Sequence, residues 1–159
     1  MSEIGGIRLC GLAKYLPEHG WNPIILTPVL PGEPDPRFRV IQTPYDDVLG
    51  LWKKRMGLNA KESLNTQLGV SRAKNRPSVV DRLVYIPYEI ITYPDPMRGW
   101  YKYAVRAGDR LLQGEQIDAI LSSSHPETCH LIAKTLAEKH QIPWIADLRD
   151  LWTQNPYSN

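Results

Sequence analysis

The chain has 159 residues, 42% hydrophobic and 23% charged, with a formal net charge of +2. That length suits one domain able to bury roughly two-thirds of its unfolded surface, and the composition is that of an ordinary globular chain. No run of about 18 apolar residues offers a spanning helix, the start Met1-Ser2-Glu3-Ile4-Gly5-Gly6 lacks the basic head and apolar stretch of a signal peptide, and the near-neutral charge names no partner.

Ile4-Gly5-Gly6 opens the chain, and a helix is expected to follow at once. Leu9, Leu12, Ala13 and Leu16 fall at the spacing of one apolar helical face, and Pro17 and Gly20 stop it. Pro23–Pro28 is a short, nearly continuous apolar run, the pattern of a strand buried on both faces of a parallel sheet. Pro31–Pro36 is a turn-rich loop, and Phe38–Thr43 reads as a second strand. Val48–Leu58 mixes apolar residues with Lys53-Lys54-Arg55, and residues 59–77 are polar without periodicity. Tyr93-Pro94-Asp95-Pro96 is a loop. A helical stripe then runs through Tyr101, Ala104, Val105, Gly108, Leu111 and Leu112. Ile117–Leu121 is a strand ending in Ser122-Ser123-Ser124, and a helix follows with Thr128, Leu131, Ile132, Thr135 and Leu136 on its face. Trp144–Ala146 is the last strand, leading into Asp147-Leu148-Arg149-Asp150.

Strands alternating with helices at these spacings predict an α/β fold, a parallel sheet covered by helices on both faces. Ligands of such sheets bind beyond the carboxyl ends of the strands, which selects the Gly5-Gly6 turn, Ser122–Glu127 and Asp147–Asp150. A glycine pair leading into a helix follows the first strand of a doubly wound fold, and here no residues precede it to form that strand. The sheet is therefore expected to lack its central strand: the chain is a fragment, or another chain or a later segment fills the gap.

Cys10 and Cys129 both fall on apolar helical stripes outside any Cys-x-x-Cys pair, and are expected as reduced core thiols. Residues 51–82 hold eight basic and two acidic side chains, a net of +6, which leaves −4 for the rest of a chain whose total is +2. Lys53-Lys54-Arg55 beside Leu51, Trp52, Met56 and Leu58 suits either an anionic membrane surface or a solvated basic loop with a few packed anchors. No basic pattern interleaved with aromatic residues points to nucleic acid.

The segment Ser122–Glu127 carries the clearest chemistry. Backbone N–H groups at a helix start favour an anion or a sugar hydroxyl. Ser124 and Glu127 have the spacing of a capping box, and capping alone accounts for both. His125 is not needed for capping; its ordinary pKa range suits proton transfer or a charge-assisted contact. Asp147, Arg149 and Asp150 bring three charges to the same rim. They serve to hold sugar hydroxyls, orient His125 or bind a phosphate, or else form a local network that fixes the loop. Gly5 and Gly6 allow a ligand close to the backbone, or simply make a tight turn. The dinucleotide fingerprint and the P-loop are absent, and the strand ending Thr27-Pro28 lacks a ribose-binding acid. His19, His125, His130 and His140 lack metal-ligand spacing, so no metal and no cofactor is expected. His130 and His140 are expected at helix surfaces.

Taken together, Gly5-Gly6-Ile7-Arg8, Leu12–Leu16, His19-Gly20-Trp21, Ile25-Leu26-Thr27, Pro94-Asp95-Pro96, Gly99-Trp100, Ser122-Ser123-Ser124 and Ile142–Trp152 resemble the N-terminal domain of family 4 glycosyltransferases. The resemblance covers most of the chain outside residues 46–80. It implies a Rossmann-like domain, the acceptor-side half of a two-domain GT-B enzyme, spanning residues 1–159, with the donor-binding C-terminal domain absent. It implies a retaining transfer from a nucleotide-sugar to a hydroxyl of a sugar or lipid-linked acceptor, in polysaccharide biosynthesis, without bound metal. The fragment is expected to be inactive alone, in the cytoplasm or peripheral to the inner face of the membrane. In this reading His125 contacts the transferred sugar, Gly5 and Gly6 meet the donor diphosphate or the acceptor, and Ser124, Glu127, Asp147, Arg149 and Asp150 shape the rest of the site. The alternative is a non-catalytic binding module that uses residues 51–82 at a membrane surface or partner.

Overall fold

A computed structural model describes residues 3–29, 31–55, 57, 87 and 90–148. The chain clusters into two compact units, residues 46–99 and the remainder on either side of them.

In the larger unit the first helix, α1 (Glu3–Tyr15), runs through Gly5 and Gly6 and passes into a 3-10 turn at Leu16–His19. The expected turn before the helix is therefore not formed. A glycine costs about 1 kcal/mol in a helix relative to alanine, which discourages the helix here without forbidding it. Pro17 and Gly20 end this stretch as expected: Gly20 takes the left-handed conformation (φ 80°), and its N–H caps the carbonyls of Leu16 and Pro17. Ala13 is buried, but Leu12 and Cys10 are exposed. The apolar stripe is narrower than the spacing suggested, and Cys10 is not a core thiol.

Two parallel strands follow, β1 (Ile24–Pro28) and β2 (Arg39–Thr43), in register from Ile24↔Arg39 to Pro28↔Thr43. After the smaller unit come α3 (Tyr101–Gly114), β3 (Ile120–Ser123), α4 (Thr128–His140) and β4 (Trp144–Asp147). β3 and β4 are again parallel. Among the described residues the four strands form two separate two-stranded sheets rather than one continuous sheet. The α/β class holds in this coarser form.

The helices join the two pairs. α3 packs on β1 and β2, α4 packs on β3 and β4, and α3 packs on α4. Trp100, Ala104, Ile132 and Leu136 make the core, with Leu26, Tyr101, Val105, Leu112, Ile120 and Cys129 packed around it. The helices approach closely at Gly108, where a Cβ would stand 2.4 Å from Leu136 Cδ1. Polar links tie this core to its edges: Trp100 Nε1 donates to the buried Thr43 hydroxyl at 2.6 Å, and Tyr101 and Thr135 share a hydrogen bond at 2.8 Å. Leu131, placed on the packed face by spacing, is exposed. The interior face of α4 is Thr128, Ile132, Ala133, Leu136 and Ala137, a stripe rotated away from Leu131.

In the smaller unit, α2 (Val48–Arg55) is capped by Asp47, whose Oδ1 accepts the Gly50 N–H at 2.8 Å. Arg98 donates to the carbonyls of Ile90 and Ile91 at 3.0 and 2.9 Å. Lys53 is buried (6% exposed), whereas Lys54 and Arg55 are exposed. The three cations therefore do not present a common face to a membrane.

Candidate functional site

The site begins with the register of β3 and β4. Ser123 lies opposite Asp147, so both strands end at the same level. The Ser123 hydroxyl donates to Asp147 Oδ2 at 2.9 Å, and the Ser124 N–H donates to the Asp147 carbonyl at 3.2 Å. One residue thus clamps the end of the serine run through both its side chain and its backbone. β3 extends through Ser122 and Ser123, further than the expected Ile117–Leu121, so two of the three serines are strand residues and all three are buried.

Beyond this clamp the chain turns through His125 and Pro126 into α4. The His125 side chain is 51% exposed, and its Nδ1 pairs with Glu127 Oε1; the Glu127 side chain is only 18% exposed. A carboxylate held against an exposed imidazole orients the ring. The expected capping box is not made. α4 starts at Thr128, Glu127 occupies the cap position, and it makes no capping hydrogen bond with its side chain. The reason is competition: Glu127 is taken by His125, and Ser124 sits buried at the strand end with its N–H held by Asp147.

A second polar chain, not anticipated from the sequence, lies behind the first. Trp144 Nε1 donates to Ser122 Oγ at 2.8 Å, and Ser122 Oγ is 2.8 Å from His130 Nδ1. An indole only donates, so the serine oxygen accepts from Trp144, and it shares a second hydrogen bond with His130 Nδ1 whose direction depends on the ring tautomer. The other ring nitrogen, Nε2, is sealed from solvent and has no hydrogen-bond partner among the described residues. Burial lowers the His130 pKa, partly offset by the nearby charges of Glu127 and Asp147. His130 is thus drawn in beside Ser122 rather than standing free at the helix surface. His140 is also drawn in, with Nε2 2.8 Å from Asp109 Oδ1, next to Lys139 at 2.7 Å from the same oxygen.

Of the residues singled out from the sequence, Ser124, His125, Glu127 and Asp147 come together at one edge. Arg149 and Asp150 lie outside the described residues. Gly5 and Gly6 lie in α1, and no hydrogen bond described here joins them to the edge. Among the described residues no group of three or more His, Cys, Asp or Glu has the arrangement to hold a metal ion, and no helix is long and apolar enough to cross a membrane. Chemically, the edge offers a hydroxyl–carboxylate pair, a carboxylate-oriented imidazole and the start of a helix. This set suits hydrogen bonding to a polyol and proton transfer at its hydroxyls. No family model, curated protein or solved structure matches the chain.

Proposed function

We propose that the chain is the acceptor-side, Rossmann-like part of a retaining glycosyltransferase that uses a nucleotide-sugar donor. The observation that carries this reading is the shared edge: parallel β3 and β4 end together, and Asp147 stands beside the serine run that leads into His125. A sugar presents several hydroxyls on one face; in this reading Asp147 and Glu127 would accept from them and His125 would serve as the base or acid for a departing or arriving proton. In this reading the backbone at Gly5 and Gly6 would meet the donor diphosphate or the acceptor. Gly5 is in the first turn of α1, where N–H groups lack intrahelical acceptors and favour an anion. Arg149 and Asp150, which lie outside the described residues, are proposed to shape the acceptor side together with Asp147.

Transfer needs a second domain for most of the donor, so the test is run in a polypeptide that carries both halves. His125→Ala is expected to lower turnover about a hundredfold, the usual scale for a positioned acid or base. Unchanged turnover would remove His125 from the mechanism.

The alternative of a binding module acting through residues 51–82 loses part of its basis, because Lys53 is buried and does not share a surface with Lys54 and Arg55.

A further inference from the structure

The main chain around His125 is pinned on both sides. Before it, the Ser124 N–H is held by the Asp147 carbonyl at 3.2 Å. After it, Pro126 O accepts the Cys129 N–H at 3.1 Å and Glu127 O accepts the His130 N–H at 2.9 Å, in the turn that opens α4. The Pro126 ring fixes its own φ as well. With the backbone held from β3 to α4, the freedom left at His125 is rotation of its side chain.

Glu127 restrains that rotation. Its side chain is 18% exposed and that of His125 is 51% exposed, so the carboxylate lies inward and the ring outward. The Glu127 side chain makes no capping hydrogen bond, so capping does not account for where the carboxylate stands. An ionised carboxylate only accepts, and the ring atom that faces Glu127 Oε1 is Nδ1. Nδ1 therefore carries a proton. A neutral imidazole has one proton, which makes Nε2 the nitrogen with the lone pair. His140 also meets a carboxylate, but its side chain is 16% exposed and Lys139 shares the same Asp109 oxygen, so that contact serves to tie α3 to α4.

We propose that Glu127 is the positioning residue of His125: it fixes the ring as the Nδ1–H tautomer and makes Nε2 an acceptor for a ligand hydroxyl at the shared edge. In this tautomer the neutral ring favours a hydroxyl over a phosphate oxygen, which has no proton to give Nε2. That the hydroxyl belongs to a sugar rests on the glycosyl-transfer reading; the pairing of Glu127 with His125 does not. Where the hydroxyl reacts, Nε2 takes its proton, the electron pair of the O–H bond stays on the oxygen, and Glu127 faces the imidazolium that results.

The test is nitrogen-15 correlation NMR of the imidazoles in the 159-residue chain, read in the high-pH limb of a titration, for the parent, Glu127→Ala and Glu127→Gln. The parent is expected to hold His125 in the Nδ1–H form by at least about tenfold over the other tautomer, the scale of a hydrogen bond to a charged group. Glu127→Ala is expected to lower that ratio about tenfold, and Glu127→Gln, which keeps an acceptor oxygen, to restore most of it. A purely structural role for Glu127 would leave the ratio unmoved in all three. A parent ring in the Nε2–H form, or a ratio that Glu127→Ala leaves unchanged in a folded chain, would overturn the proposal. Methyl glucoside and inorganic phosphate, each added to the parent at millimolar concentration, separate the ligand classes. A shift of His125 Nε2 with the glucoside supports the hydroxyl, and a shift with phosphate alone overturns it. The Nδ1–H tautomer without a response to either probe upholds the positioning role and contradicts the sugar reading alone.

Discussion

Ser123 and Asp147 are register partners across β3 and β4, and the Ser123 hydroxyl donates to the Asp147 carboxylate at 2.9 Å. This pair locks the end of one strand to the end of the other, at the point where the chain leaves the sheet for His125. Asp147→Ala removes the acceptor and leaves the buried Ser123 hydroxyl unpaired. The expected loss is about 1–3 kcal/mol of unfolding free energy, read by urea denaturation. Asp147→Asn keeps an acceptor in place and is expected to lose less.

Ser122 joins Trp144 to His130, and its removal strands both. Ser122→Ala is expected to cost about 1–2 kcal/mol. In the unaltered protein, nitrogen-15 spectra of the imidazole are expected to show one ring tautomer of His130 favoured, and in Ser122→Ala that preference should weaken, because Nδ1 loses its hydrogen-bond partner.

Asp109 ties α3 to the end of α4 through Lys139 and His140. The hydrogen bonds from Lys139 and then His140 hold its carboxyl below the usual carboxylate range. A carboxyl depressed in the folded state contributes stability above its unfolded value of about 4, and this contribution is lost as pH falls through the lower folded value. Asp109→Asn should therefore be less stable than the parent near pH 6, with the difference shrinking below about pH 4. Denaturant midpoints across that range measure it. A difference that stays constant with pH would mean the clamp acts without its charge.

The short elements were legible where one local pattern decided them. Ile24–Leu26, bounded by Pro23 and Pro28, reads as a strand from its apolar run alone, and β1 occupies Ile24–Pro28. Helix α4 was legible from its apolar stripe, though it begins at Thr128, later than the Ser124–Glu127 spacing suggested. Features that depend on a distant partner were not legible. Ser122, His130 and Trp144 meet only because β3 and β4 pair in a particular register, and nothing local to His130 marks it as buried. The capping box failed for a related reason, since spacing shows that Glu127 can reach back to Ser124 but not that His125 takes it first. Lys53 reads as solvated in a basic run, yet its position on α2 turns it inward while Lys54 and Arg55 stay out.

The most direct test of the account is an amide chemical-shift titration of the 159-residue chain with simple hexoses and a panel of nucleotide-sugars at millimolar concentration. The shared edge predicts that the largest shifts fall on Ser123, Ser124, His125, Glu127 and Asp147, with little change on the outer face of α4 around Leu131 and Lys134. Shifts centred elsewhere, or none with any member of the panel, would contradict a sugar-binding edge built by β3 and β4.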